Sequence, residues 1–136
     1  MDITQEKSLL DELNEVKENY EYLLELTQTT VYTQDTNLVY ISMANMDKNL
    51  QSTMLIGKTD KDFYSKEDAK KLETIKRKVL KTKNPYRDIV TLTIGEIQRY
   101  FDLTVRPVLI DSKVTGLACT STDITDITQN EKKLEN

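Results

Sequence analysis

The strongest constraint on the fold is an unbroken alternation of side chains over residues 97–106. Because successive side chains of a β-strand point to opposite faces of its sheet, this alternation predicts a strand with one buried face. Residues 86–94 alternate in the same way, and Gly95-Glu96 predicts a tight turn between the two strands. We expect Pro107 to interrupt strand pairing. The predicted inner faces carry Asp88, Val90, Leu92 and Ile94 on the first strand, and Ile97, Arg99, Phe101, Leu103 and Val105 on the second.

Three further strands are predicted from β-branched and aromatic residues. Residues 31–34 and 38–41 are rich in both types and flank a turn-forming cluster at 35–37, a pattern that predicts a hairpin. A last strand is predicted over 114–122, after a turn at 111–113. One face of this strand carries Thr115, Leu117, Cys119 and Ser121.

An amphipathic helix is predicted between the hairpin and the last three strands, and short helices with loops are predicted over 44–56. Ser65 and Asp68 have the spacing of a capping box at the start of the amphipathic helix, and Pro85 predicts its end before residue 84. The buried stripe is predicted to be Ala69, Leu72, Ile75 and Val79. The basic residues on its other sides predict a solvated face, with an anion-binding patch as the alternative: Lys70, Lys71, Lys76, Arg77, Lys78 and Lys81.

The N-terminal segment has the pattern of a helix with a coiled-coil seam. Apolar residues recur at alternating spacings of four and three, which keeps one stripe facing a partner helix. The alternative is a helix that packs on its own domain, and Leu10 and Leu24 beside the stripe would widen the contact or touch the domain. The predicted seam is Leu9, Leu13, Val16, Tyr20 and Leu23.

These elements together predict an α+β fold, with one five-stranded antiparallel sheet and short helices on one face. We divide the 136 residues into an N-terminal amphipathic helix over 1–28, one globular domain over 29–125, and the start of a C-terminal helix over 126–136.

Composition excludes several classes of function. The chain has no histidine and one cysteine, Cys119, so an intramolecular disulfide is impossible, a zinc site is not expected, and a reducing, cytoplasmic compartment is favoured. No apolar run approaches the roughly 20 residues that cross a bilayer, although a longer parent protein can still be attached to a membrane. Eight carboxylates against two lysines give residues 1–28 a net charge of −6 within a total of −4. Nucleic acid binding would need a more focused positive field.

Several short motifs, in this order and spacing, resemble the PAS domains of bacterial sensor histidine kinases of two-component systems. The resemblance covers about residues 28–128. It rests on Val31-Tyr32-Thr33-Gln34-Asp35, Ile56-Gly57-Lys58-Thr59-Asp60, Lys76-Arg77-Lys78-Val79-Leu80, the run from Arg99 to Val108, and Asp123-Ile124-Thr125-Asp126, which is similar to the D-I-T-E/D signature.

The resemblance implies a curved sheet that, with the short helices, encloses a small ligand cavity. The alternative is a close-packed core without a cavity. In either case the inner face of the sheet and the facing helices supply the side chains. The cavity-lining residues that we expect are Tyr32, Gln34, Ile56, Phe63, Leu72, Ile75, Val90, Leu92, Phe101, Leu103, Val105, Leu117, Cys119 and Ser121.

Asp123, Thr125 and Asp126 lie where the last strand passes into the C-terminal helix. The resemblance implies that this joint relays movement of the sheet to a signalling helix. The alternative is ordinary helix capping, for which these residue types are equally suited.

The sequence lacks several motifs of the family, and their absence limits the cofactors and activities that we expect. The asparagine–cysteine–arginine motif of flavin photosensors is missing and no histidine can ligate haem, so we expect neither cofactor. Phosphoacceptor histidine and ATP-binding glycine motifs are also missing, so we expect no catalysis here and a kinase or other output domain elsewhere in the parent protein.

The expected function is therefore a sensory, signal-transducing module in a homodimer that binds a small molecule or relays a conformational signal. One alternative is a ligand-free dimerisation and spacer domain. An enzyme that uses carboxylates is disfavoured, because Asp88 is the only acidic residue expected on an inner strand face.

Overall fold

The structure, a computed structural model, describes residues 3–44 and 55–127. Its elements are α1 (Ile3–Leu26), β1 (Thr29–Asp35), β2 (Tyr40–Ala44), a 3-10 helix (Asp60–Asp62), α2 (Lys66–Thr82), β3 (Tyr86–Ile94), β4 (Ile97–Ile110) and β5 (Lys113–Asp123). The predicted order of elements is confirmed, and residues 125–127 are helical. Most of the short helices predicted over 44–56 lie outside the described residues.

The five strands form one antiparallel sheet in the order β2-β1-β5-β4-β3. β1 and β5 are neighbours in the middle of the sheet, so the end of α1 and the end of β5 meet at the same place. Gly116 permits this close pairing, because a Cβ at that position would overlap the main-chain oxygen of Gln34 on β1. The predicted α+β fold is confirmed.

The core lies between one face of the sheet and α2. The structure confirms which set of alternate residues in β3, β4 and β5 faces the core. Leu103, Val105, Leu117 and Cys119 are each at most 2% exposed, and burial of such side chains stabilises the fold by about 1.5–3 kcal/mol for each large one. Leu72 and Val79 of α2 belong to the same core cluster, and Ala69 of α2 is buried as well. Asp88 has the inner parity of β3 but is exposed near the start of the strand.

Pro107 does not interrupt the sheet, which corrects the expectation from the sequence. It lies within β4 and is paired with Leu117 of β5. β3 starts at Tyr86, opposite Val105, so β4 has only one neighbouring strand at Pro107. A strand tolerates proline where one side is an edge, because no partner there requires its missing N–H.

The start of α2 is capped, but not reciprocally as the sequence predicts. The Ser65 side chain accepts a hydrogen bond from the Asp68 amide over 3.2 Å. The Asp68 carboxylate accepts instead from the Thr93 amide of β3 over 2.8 Å. Asp68 therefore fixes the helix to the sheet, at one end of the core.

Candidate functional site

A cleft of about 820 Å³ lies between the inner face of the sheet and the helices. Its volume falls in the range of small-molecule sites, which is about 300–1,000 Å³. The apolar part of the wall comes from α2, β3 and β4. Eight of the residues expected from the sequence line the cleft: Tyr32, Phe63, Leu72, Val90, Leu92, Phe101, Leu103 and Ser121.

The structure places the other expected residues away from the cleft wall. Gln34, Val105, Leu117 and Cys119 are buried, and none of them lines the cleft. Burial raises the pKa of the Cys119 thiol to about 11, which keeps it protonated and unreactive. Ile75 packs against the edge of the core. Ile56 is 44% exposed, and its neighbour Leu55 lines the cleft in its place.

A buried ion pair lies next to the aromatic side chains of the cleft wall. Lys76 is fully buried, and its Nζ lies 2.7 Å from Oδ2 of Asp60. The hydroxyl of Tyr40 donates to the other carboxylate oxygen of Asp60. The same ammonium lies 4.9 Å from the ring centroid of Tyr32 and 5.7 Å from that of Tyr40, within the range of cation–π attraction. The expectation that Lys76 belongs to a solvated face is wrong.

Three tyrosines beside this ion pair stay protonated at neutral pH. Burial, with the Asp60 charge as a further cause, raises the pKa of Tyr40 well above its ordinary value. Burial likewise raises the pKa of Tyr32, and it raises that of Tyr64 to about 12. All three rings line the cleft, so they offer a ligand apolar surface and neutral hydroxyl groups rather than charge.

The opposite end of the cleft is polar and contains Arg99 and Asp123. Nε and Nη2 of Arg99 lie 2.8 and 2.7 Å from Oδ2 of Asp123. Oδ1 of Asp123 accepts from the amide and the hydroxyl of Thr125, over 3.0 and 2.6 Å. Partial burial by itself would raise the pKa of Asp123, but the bonds from Thr125 and Arg99 outweigh it and hold that pKa below the ordinary value of 3.8.

This polar end is also the joint between the sheet and both flanking helices. The buried Thr125 hydroxyl accepts from the Tyr100 amide of β4 over 3.0 Å, and the Ile124 amide donates to the Tyr100 carbonyl over 2.9 Å. The Asp123 amide donates to the carbonyl of Gln28, just after α1, over 3.1 Å. Asp126 is exposed. The last residue of β5 is therefore bonded to the chain just after α1, and the two residues that follow β5 are bonded to β4.

A family model described as the PAS fold (PAS_4) matches residues 24–129.

The chain belongs to the PAS fold family.

Known structures show the same fold at low identity. The PAS domain of a Colwellia psychrerythraea protein matches with a TM-score of 0.64 and 9% identity, over 82% of this chain and 98% of that one. The VqmA dimer of Vibrio cholerae gives 0.62 and 17% over 79% of this chain and 52% of that one, so the PAS domain here spans about half of VqmA. The Cronobacter turicensis RpfR quorum-sensing receptor PAS domain, in complex with BDSF, gives 0.56 and 18% over 71% and 94%. No curated protein matches the sequence.

The N-terminal helix of this PAS domain leaves its predicted seam uncovered. Leu9, Leu13, Val16, Tyr20 and Leu23 are 45–65% exposed. Leu24, at 7% exposure, is the buried contact near the end of α1, while Leu10 is 59% exposed. The helix therefore touches the domain near its C-terminal end, and the rest of its apolar stripe faces away.

Lys76, which lies behind the cleft, and several residues of the cleft wall are not predicted as site residues from the sequence of this PAS domain. Lys76 follows Leu72 by four residues and precedes Val79 by three, so helical spacing alone puts it on the buried stripe. Arg99 is the one charged residue at the inner parity of 97–105, a signal that was available. Ile94 and Ile97 lie at the predicted inner parity, and Asp123 was expected at the joint rather than on the wall. The remaining wall residues depend on tertiary packing and have no such signal: Glu25, Gln28, Thr30, Tyr40, Met43, Leu55, Asp62 and Tyr64.

Two absences apply to the residues described. No group of three or more acidic or cysteine side chains in 3–44 and 55–127 is arranged to hold a metal ion. Within the same ranges, no helix combines the length and apolarity needed to span a membrane.

Proposed function

We propose that this PAS domain is a sensory module that binds a small organic molecule in the cleft and passes the binding signal to its flanking helices. The module acts in a homodimer, within a cytoplasmic part of a signalling protein such as a two-component sensor histidine kinase. It performs no catalysis itself, and its output lies in a kinase or other domain of the parent protein. Neither a flavin adduct nor histidine-ligated haem is part of the proposal.

One observation carries this proposal: Arg99 and Asp123 belong to the cleft wall and to the helix joint at the same time. A molecule that contacts Arg99 changes the charge and the hydrogen bonding around Asp123. Asp123 holds Thr125, and Thr125 is the first residue of the helical segment 125–127. Binding in the cleft and the position of the outgoing helix are therefore coupled through adjacent side chains.

Proteins with the same fold support a ligand-binding role. The RpfR PAS domain was determined in complex with BDSF, and VqmA, at 16% identity and a TM-score of 0.60, was determined bound to DPO. The assignment to a sensor histidine kinase rests on the D-I-T-D motif at 123–126 and on the other motifs that resemble that class.

Ligand screening tests the proposal. We expect at least one compound of a broad metabolite library to raise the melting temperature, since a ligand at 100 times its Kd stabilises the native state by about 2.7 kcal/mol. Ser121 is half-buried on the cleft wall, so Ser121→Trp should fill the cleft and abolish the shift. Thr120→Trp is the matched control, because Thr120 is exposed and is the adjacent residue of β5.

The sensory proposal is contradicted if no compound of the library stabilises the wild-type protein. Circular dichroism must show that this protein is folded. Equal shifts in Ser121→Trp and wild type would place binding outside the cleft. If no compound stabilises the protein, a ligand-free dimerisation and spacer domain is the better assignment, and the exposed seam of α1 favours it.

A further inference from the structure

We infer that the cleft takes a monocarboxylic acid with an apolar body, whose carboxylate binds Arg99 in competition with Asp123. This inference rests on the proposed function, because it names the chemical class of the ligand for the same site. A guanidinium has five N–H groups in a planar fork that matches a carboxylate.

Arg99 has unused donors beside the cleft. Within the described part of the chain, its guanidinium contacts one oxygen of Asp123 through Nε and Nη2. The Nη1 group has no partner among the residues described. The Arg99 side chain is 32% exposed and lines the cleft, so its free N–H groups are accessible to a bound molecule.

The surroundings of Arg99 specify the rest of the ligand. The wall that leads away from Arg99 is apolar, with Phe101, Leu103, Val90 and Leu92. Ser121 supplies a hydroxyl group on the cleft wall. A molecule that fits both parts has one anionic end and an apolar body, and charge-assisted hydrogen bonds to arginine are the strong ones available there.

Glu25 is the group that opposes this binding mode. Its carboxylate, on the exposed side of α1, lines the same end of the cleft. It limits affinity for an anion and would attract a cation. Asp62 is also on the wall, but its carboxylate accepts from the Thr59 amide over 2.9 Å, beside the 3-10 helix. Removal of the Glu25 charge should therefore strengthen the binding of an anionic ligand and weaken the binding of a cationic one.

Competition for Arg99 links the ligand to the helix joint. A carboxylate at Nη1 and Nη2 draws the guanidinium away from Oδ2 of Asp123. Asp123 then retains Thr125 as its remaining partner, and the constraint between β4 and the outgoing helix weakens. The amide signals of Thr125 and Asp126 should accordingly move when such a ligand binds.

Three probes with one tail and different head groups test the inference: octanoate, octanamide and octylamine. We expect octanoate to bind the wild-type PAS domain at least about tenfold more tightly than octanamide, with octylamine the weakest, by calorimetry at neutral pH. Arg99→Gln should weaken octanoate about 10- to 100-fold and leave octanamide within about twofold. Glu25→Gln should tighten octanoate. Octanoate, and not octanamide, should shift the Thr125 and Asp126 amides in NMR spectra.

Arg87→Gln is the matched control. Arg87 pairs with Asp102 at 3.2 Å, and its side chain is 74% exposed away from the cleft. Octanoate affinity should not change in this variant. If Arg99→Gln does not fold, Arg99→Lys, which keeps the charge and loses the fork, and Glu25→Gln decide the question in its place.

The outcomes separate this inference from the proposed function. Equal affinity for octanoate and octanamide, or octylamine binding that Glu25→Gln weakens, overturns the carboxylate inference and leaves the sensory function intact. If none of the three probes binds while a library compound does, the inference is also overturned. If neither the three probes nor any library compound binds, the carboxylate inference and the proposed sensory function are both contradicted.

Discussion

Lys76 lies at the centre of the core, with its ammonium between Asp60 and the rings of Tyr32 and Tyr40. A buried charge is costly unless it is paired and hydrogen-bonded. Here the carboxylate bonds to both Lys76 and the Tyr40 hydroxyl. The cluster fixes the 3-10 helix to α2 and to the hairpin, and it sets the positions of two rings of the cleft wall.

We predict that Lys76→Met destabilises the domain by about 3–5 kcal/mol, because it leaves the buried Asp60 without its charged partner. Urea unfolding measures the loss. Arg77→Met is the matched control: Arg77 is the next residue, its pair with Glu73 is on the surface, and such pairs contribute at most about 1 kcal/mol. Equal costs for the two variants would mean that the Lys76 pair is solvated. The double variant Lys76→Met/Asp60→Leu should lose less than Lys76→Met alone.

At the scale of elements, the joint between β5 and the helical segment 125–127 is the feature that distinguishes this domain from a simple sheet-and-helix core. Asp123 and Thr125 hold the joint to Arg99 and Tyr100 of β4. The capping bond that Asp123 accepts from the Thr125 amide could be predicted from the sequence. Its ion pair with Arg99 could not, because that pairing depends on the register of β4 with β5.

The lowered pKa of Asp123 makes the stability of this joint depend on pH. A carboxyl group whose pKa is lower in the folded state stabilises the fold above its unfolded pKa and loses that contribution as pH falls through the folded pKa. We predict that Asp123→Asn costs about 1–3 kcal/mol at neutral pH. The difference from wild type should stay constant down to about pH 4 and shrink at lower pH.

Urea unfolding of both proteins between neutral pH and about pH 2 measures this dependence. The control is Asp102→Asn, which removes a carboxylate from the exposed pair with Arg87. It should cost at most about 1 kcal/mol. A cost of Asp123→Asn that does not change with pH would show that the carboxylate charge is not what holds the joint.

At the scale of the whole molecule, the long α1 projects an apolar stripe that its own domain does not cover. The stripe was predictable from spacing alone, as were the parity of the inner sheet face and the end of α2. The position of the cleft was predictable in part. Strand parity identifies the cleft residues Phe101 and Leu103 and the buried residues Leu117 and Cys119 alike, so it does not distinguish the cleft wall from the packed core. That distinction depends on where α2 lies along the sheet, which no local pattern encodes.

We predict that the double variant Leu13→Asp/Leu23→Asp converts a dimer into a monomer, because it places charges within the seam. Analytical ultracentrifugation measures the change. Tyr22→Asp is the control: Tyr22 is 62% exposed but lies outside the seam, so this variant should remain dimeric. Dimers of the double variant would place the interface elsewhere on the domain.

The buried ammonium behind Tyr32 and Tyr40 has an optical consequence. The chain contains seven tyrosines and no tryptophan, so tyrosine dominates its near-ultraviolet absorption. The two rings are 5.3 Å apart between centroids, and both border the cleft. A fixed charge already perturbs these two chromophores from one side, and an occupant of the cleft replaces water on the other. The protein therefore carries a built-in spectroscopic indicator of occupancy, which needs no label and no engineered residue.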